Sequence, residues 1–207
     1  MSAGESGIAP DAPWSVTVTA YKHRQLQRIA SIAFDLAARD GLPNVSMSSL
    51  ARAAGLSRAT LYNYIPDVAT AVRIQLVARA EAFQTAVTAA VAEERGSEAQ
   101  LRRYVREQVA YASGDDHRAA IALAESARSL DDEASAAAHV ARQAGVLDDI
   151  LRRGMREGVF RTAPIVVQAA LIGRALYGAD DLLHRLGLPE DAVAEAITAF
   201  VLEGIGR

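Results

Sequence analysis

Between Ser57 and Tyr64 the chain reads Ser-Arg-Ala-Thr-Leu-Tyr-Asn-Tyr, a run in which every side chain but Ala59 and Leu61 can hydrogen-bond. Arg58 can hold two acceptors of a guanine edge, Thr60 can touch a thymine methyl or a phosphate, and Asn63 can pair with an adenine edge. Tyr62 and Tyr64 suit phosphate oxygens, contacts that fix position on a duplex without reading its sequence. Together these groups offer recognition of DNA. The same groups on a short helix could equally be solvated surface, so the reading depends on whether the flanking residues can present them to a groove.

A helix that enters a major groove about 12 Å wide needs a second helix to carry it and a tight turn between them. Ser46 can cap a short helix through Ala54, Gly55 permits the sharp turn, and Ser57 can cap the next helix through Tyr64. Ala51 and Ala54 are small where the two helices cross, and Leu50, Leu56 and Leu61 are apolar where the unit must anchor. Upstream, Leu26, Ile29, Ala30, Ala33 and Ala37 fall on one face of a helix expected over about Thr19 to Asp40, closed by Gly41 and Pro43. The expected unit is a helix-turn-helix over residues 19–66. Residues 1–18 read as a flexible arm, since they lack the basic start and apolar run of a signal peptide.

Gly41-Leu42, Val45-Ser46, Leu50-Ala51, Ala54-Gly55-Leu56-Ser57 and Ala59-Thr60-Leu61-Tyr62-Asn63-Tyr64-Ile65 resemble the signature of the TetR/AcrR family across roughly residues 22–72. The resemblance implies an Ω-shaped, all-helical homodimer with a variable C-terminal domain that binds an inducer. It implies a recognition helix spanning Ser57 to Tyr64, so that Ser57 and Ala59 join Arg58, Thr60, Tyr62, Asn63 and Tyr64 at the DNA, with Ser46 and Ser48 of the preceding helix beside them. The chain departs from the family pattern after Ile65, itself in place of a phenylalanine. Where the family opens its fourth helix with a lysine and an acidic residue, this chain has Val68 and Ala69. A phosphate clamp is missing there, which lowers affinity, flattens the salt dependence by about one unit of slope and shifts the load to Arg52 and Arg58.

The rest of the sequence is consistent with an all-α fold: helical periodicity dominates and no alternating β-branched run is bounded by turns. Residues 67–207 are expected to form a ligand-binding and dimerisation domain. Its helices should cover about 66–95, a stretch from Ser97 to the Gly114-Asp115-Asp116 break, about His117 to Ser129, Asp131 to near Gly158, about Ile165 to Leu186, and Glu190 to Gly204. A hydrophobic content of 51% in 207 residues is ample for a core and excludes a disordered chain. The absence of cysteine excludes disulfides, thiolate metal sites and cysteine nucleophiles, and fits a reducing compartment. No eighteen-residue apolar run lacks a charge, so no membrane span and a cytoplasmic location are expected. The net charge of −3 hides an uneven distribution, six basic against two acidic residues over 20–64 and sixteen against twenty-one from Asp67 onward. A basic head on an acidic body suits a phosphate-binding module joined to a different domain.

In the C-terminal part, polar groups on apolar helix faces are the pointers to a lined cavity, because a buried polar group must find a partner in protein, water or ligand. Gln108 and Gln143 qualify, with Tyr104, Tyr111, His117, Glu125, His139 and Tyr177 as further candidates and Phe83 and Met155 as apolar lining; ordinary core or surface roles are the competing reading for each. The low aromatic content suggests an aliphatic or mixed lining. Ala170, Gly173, Tyr177 and Gly178 on one terminal helix and Val193, Ile197, Phe200 and Val201 on the other read as stripes of a four-helix dimer interface. A dimer would set two recognition helices about 34 Å apart on a palindromic operator. A ligand preferring the conformation that cannot bind DNA would then release it, with the fourth helix as lever.

An enzyme is not expected, and neither is a cofactor. The adjacent acidic pairs cannot share a helix face and suit helix starts, no phosphate-cradling loop or nucleophile elbow occurs, and Asp180 with His184 is better read as an ion pair than as a metal site. The alternative function is a helical ligand-binding or protein-interaction module with weakened or lost DNA binding, which Val68 and Ala69 would mark.

Overall fold

A computed structural model describes residues 12–126 and 133–206, with side chains described for 19–115, 117–124, 126 and 145–206. The chain divides into two compact units, residues 1–75 and 76–207.

In the first unit, α1 runs from Ala12 to Asp40. It begins seven residues before the expected start at Thr19, inside the segment read as an arm, because Pro13 is tolerated in a first helical turn and nothing between it and Thr19 stops a helix. Ile29, Ala30, Ala33, Phe34 and Ala37 form its buried face. Gly41, at φ 83°, turns the chain into a 3-10 turn over Leu42–Asn44. Two short helices follow, α2 over Met47–Ala54 and α3 over Arg58–Tyr62. α1 packs on α2, and α2 on α3.

Helix α4, Val68–Ala92, is continuous across the division between the units, which falls inside it rather than ahead of it. It carries two separate sets of buried residues. Val68, Ala71 and Val72 lie at its start, whereas Val87 and Val91 belong to the core of the second unit.

The second unit is organised around α5, Ser97–Ser113, which packs against α6 (Asp115–Ser126), α7 (Glu133–Arg156), α8 (Ile165–Tyr177) and α9 (Glu190–Ile205). Leu101, Tyr104, Val105, Val109 and Ala112 place α5's apolar stripe in a core shared with Leu147, Ile150 and Leu151 of α7 and Val193, Ile197, Val201 and Ile205 of α9. Gly154 makes room for that core's largest loop residue: a Cβ there would lie inside the ring of Phe160. The Phe160 and Arg161 amides then donate to Gly154 O at 3.0 Å and Ile205 O at 2.9 Å, tying the loop to the end of α9. Among the described residues the only extended pairing is the isolated bridge of Phe160 with Gly206.

Several expected boundaries shift. α6 starts at Asp115, since the acidic pair after Gly114 opens a helix instead of ending one, in line with the preference of negative charge for a helix start. α8 stops at Tyr177 instead of Leu186; after a turn at Gly178 the chain tightens into a short π-helical segment over Asp181–Arg185. The expected dimer stripe on the last helix is also corrected. Val193, Ile197 and Val201 are buried in the unit's own core, and the outward face of α9 carries Phe200 instead.

Candidate functional site

The turn between α2 and α3 is built by three local devices. Ser46 caps α2 reciprocally with Ser49: its Oγ accepts from the Ser49 amide at 3.0 Å while the Ser49 Oγ accepts from the Ser46 amide at 3.0 Å. Gly55 closes α2 in the left-handed region at φ 67°, where a side chain would be strained, and the Leu56 amide reaches back to Ala51 O at 2.9 Å. Ser57 caps α3 by accepting from the Thr60 amide at 3.0 Å, and its hydroxyl also meets that of Thr60 at 2.7 Å. Leu50, Ala51, Ala54, Leu61 and Ile65 are buried, which fixes the opposite face outward.

On that outward face, Ser46, Ser48, Arg52, Ser57, Arg58, Ala59, Tyr62 and Asn63 are exposed, and Thr60 and Tyr64 are half-buried. Arg58 lies along α3, its Nη2 donating to the Tyr62 hydroxyl at 3.3 Å and its guanidinium carbon 5.7 Å from the ring centroid. Contacts of this kind at exposed sites are worth about 0.5–1 kcal/mol, so Arg58 can leave Tyr62 for a stronger acceptor. From Val45 to Pro66 the chain carries Arg52 and Arg58 and no carboxylate, so nothing on this surface repels phosphate. Val68, where a phosphate-clamping lysine was missed in the sequence, is buried and fills the core. Asp67 accepts from the Thr70 amide at 2.6 Å and caps α4.

Residues 29–67, spanning this helix-turn-helix, match the model of the bacterial regulatory proteins of the tetR family. The chain is a TetR-family protein. No curated protein matches its sequence. Similar folds occur in a protein from Saccharomonospora viridis solved in complex with choline (19% identity, TM-score 0.75, covering 89% of this chain and 99% of that one). They occur also in the fatty acid degradation regulator FadR from Bacillus halodurans (17%, 0.70, 87% and 95%). A third is a TetR family transcription regulator from Marinobacter aquaeolei VT8 (16%, 0.65, 90% and 98%). The fold of this TetR-family chain is therefore that of DNA-binding transcription regulators, with an N-terminal helix-turn-helix domain and a larger helical C-terminal domain. Among the described residues no helix is long and apolar enough to cross a membrane.

The C-terminal unit of the TetR-family chain has a groove of about 420 Å³. Arg79, Ala82, Phe83 and Ala86, at helical spacing on one face of α4, form one wall; Ala110 and Tyr111 of α5, then Gly114 and His117, form the other. The Phe83 and Tyr111 rings stack at 3.9 Å and 17°, and His117 is tilted onto Tyr111 at 4.6 Å and 58°. Burial pushes the His117 pKa below its usual value, against the pull of Asp180 and with a smaller push from His184. An aliphatic or mixed lining was expected, but the few aromatic side chains converge here.

The structure thus brings Phe83, Tyr111 and His117 together. It does not bring the other described candidates to them. Tyr104 is in the core, its hydroxyl bonded to Gln108 and its pKa pushed up to about 12 by burial. Gln108 is half-buried, Met155 packs against the same core, and Tyr177 is 78% exposed on the outer face of α8. Glu125, His139 and Gln143 lie outside the residues whose side chains are described. Arg79, Ala82 and Ala86 were missed; their i, i+3, i+4, i+7 spacing around Phe83 was the available signal. The Asp180 carboxylate meets His184 Nδ1 at 3.0 Å as an i, i+4 pair, and no group of three metal-ligating side chains occurs among the described residues.

Proposed function

We propose that this TetR-family chain is a cytoplasmic repressor that binds a palindromic operator as a homodimer and leaves it when a small molecule enters the C-terminal unit. The observation that carries the reading is the exposed Arg58, Tyr62 and Asn63 face of α3, held outward by the Ser57 cap and the buried Leu61, in a stretch without carboxylates. In the groove of a duplex, Arg58 and Asn63 read base edges while Ser46, Ser48, Arg52, Ser57, Thr60, Tyr62 and Tyr64 hold phosphates or pack beside them, and Ala59 allows close approach.

Dimerisation through α8 and α9 is supported by their outer faces. Val166, Val167, Leu171 and Tyr177 of α8 and Phe200 of α9 are all more than half exposed, a stripe of large apolar side chains that a lone chain would leave in water. Replacing Tyr177 by Glu places a charge in that stripe. The expected outcome is dissociation to monomers in sedimentation velocity, with at least a tenfold loss of operator affinity; a Tyr177→Glu protein that stays dimeric contradicts this interface.

The groove of the second unit supports the ligand response. Its α4 wall stands on the helix that continues into the first unit, so a ligand that shifts α4 can change the population able to bind DNA. Selection from a random DNA pool by the purified protein, followed by sequencing, tests the repressor reading. Enrichment of a palindrome is expected. Enrichment of no motif by a folded dimer would leave a ligand-binding or protein-interaction module in its place.

A further inference from the structure

The groove on α4 and α5 has a composition that specifies more than its volume. Its flat side chains sit in one place: the Phe83 and Tyr111 rings are nearly parallel at 3.9 Å, and His117 leans on the second ring. The positions around them are alanine or glycine, with Ala82 and Ala86 exposed on α4, and Ala110 and Gly114 opposite. Small side chains beside a ring pair leave a slot, and what extends a stack of parallel rings best is another flat ring. A volume of about 420 Å³ falls within the range of small-molecule sites.

Charge selects further. Among the lining residues Arg79 is the full cation and there is no carboxylate. The guanidinium is planar, keeps its charge at all working pH values and matches a carboxylate with two parallel hydrogen bonds. Aromatic rings can also hold a quaternary ammonium, but a lining with an arginine and no acidic group works against a cation.

We propose that this groove takes a planar aromatic carboxylate, its ring laid against the Phe83–Tyr111 stack and its carboxylate on Arg79. The proposal rests on the ligand-responsive reading above and names the class of ligand. A long alkyl acid would meet the arginine but leave the ring faces without a flat partner; a neutral aromatic would meet the rings but leave the guanidinium without an anion.

Isothermal titration calorimetry of the full chain with benzoate, 1-naphthoate, 1-naphthalenemethanol, decanoate and choline tests it. The expected result is saturable binding of 1-naphthoate or benzoate, at least tenfold tighter than the neutral alcohol, decanoate or choline. Affinity for the acid should fall at least tenfold in Arg79→Gln and in Phe83→Leu. The second variant keeps an apolar side chain, so it reports the loss of the ring even where the first perturbs folding, and circular dichroism checks both. Equal binding of acid and alcohol, or preferred binding of decanoate or choline, overturns the aromatic-acid assignment. Absence of acid binding overturns it as well. The broader ligand response is judged separately, by whether a small-molecule extract of cells releases the protein from its selected DNA; release without acid binding removes the ligand class and leaves the response standing.

Discussion

The recognition face of α2 and α3 and the groove of the second unit both offer polar and aromatic groups to a partner, but they hold them by different means. On the recognition face the positioning is local: Ser46 with Ser49, Gly55, and Ser57 with Thr60 are each satisfied within a few residues. The groove draws its walls from two helices and the start of a third, and the other face of α5 is what the unit's core holds in place. A surface built from neighbours in sequence can be moved as a rigid body onto a large partner. One built across helices can respond to a small partner by letting the helices shift. The division suits a chain that must present one fixed shape to DNA and one adjustable shape to a ligand.

Four changes would break or sharpen that contrast. The largest effect is expected for Gly154→Ala, where a methyl group must enter the space of the Phe160 ring. Overpacking of this kind costs about 1–3 kcal/mol, so chemical denaturation should show a destabilised protein, with the destabilisation confined to the C-terminal unit in hydrogen exchange. Equal loss of protection in α2 and α3 would mean that the two units do not unfold separately. Ser57→Ala is the converse change. Loss of an N-cap costs about 0.5–2 kcal/mol, here within the five-residue α3, and it should weaken operator binding in fluorescence anisotropy while hydrogen exchange of α5 is unchanged.

Smaller effects follow from charge. Arg52→Ala should weaken binding to all sequences alike and reduce the slope of log affinity against log salt by about one, the signature of a single phosphate contact; a change in sequence preference instead would make Arg52 a base reader. His117, whose pKa is lowered by burial from its usual 6.5, stabilises the fold in its neutral form. That contribution is fully present above the unfolded pKa and is lost as the pH falls through the folded one, because the unfolded chain takes up the proton first. Melting temperature should therefore decline below about pH 6.5, and His117→Asn should flatten that decline by a small amount, since Asp180 opposes the shift.

What could be read from the sequence follows the same line. Ser46, Gly55 and Ser57 announce the turn because their roles are local, set by φ and by a side chain reaching its own backbone. The helical class and the buried faces of α1 and α5 were legible from periodicity. Periodicity shows which residues share a face; it does not say what covers that face. Val193, Ile197 and Val201 form a proper apolar stripe, but α5 covers it within the same chain, and Phe200 is left outside. For the same reason Phe83, Tyr111 and His117 could be named as candidates, while Tyr104 and Met155, equally apolar in pattern, turned inward. The end of α8 was hidden because Gly178 costs little inside an apolar run, and only the tertiary structure shows the chain changing to a π-helical turn after it. The aromatic groove was obscured by a composition that counts rings without locating them.

The most direct test of the account compares the wild-type chain with the Arg58→Ala, Asn63→Ala double variant by fluorescence anisotropy, on the selected operator and on a scrambled duplex of equal length. If the exposed face of α3 reads bases, each bidentate contact is worth about 1–3 kcal/mol of discrimination. The ratio of operator to scrambled affinity should then fall by one to several orders of magnitude while binding to the scrambled duplex weakens far less. An unchanged ratio in a folded, dimeric variant would contradict the central claim, because sequence would then be read by some other surface of the molecule.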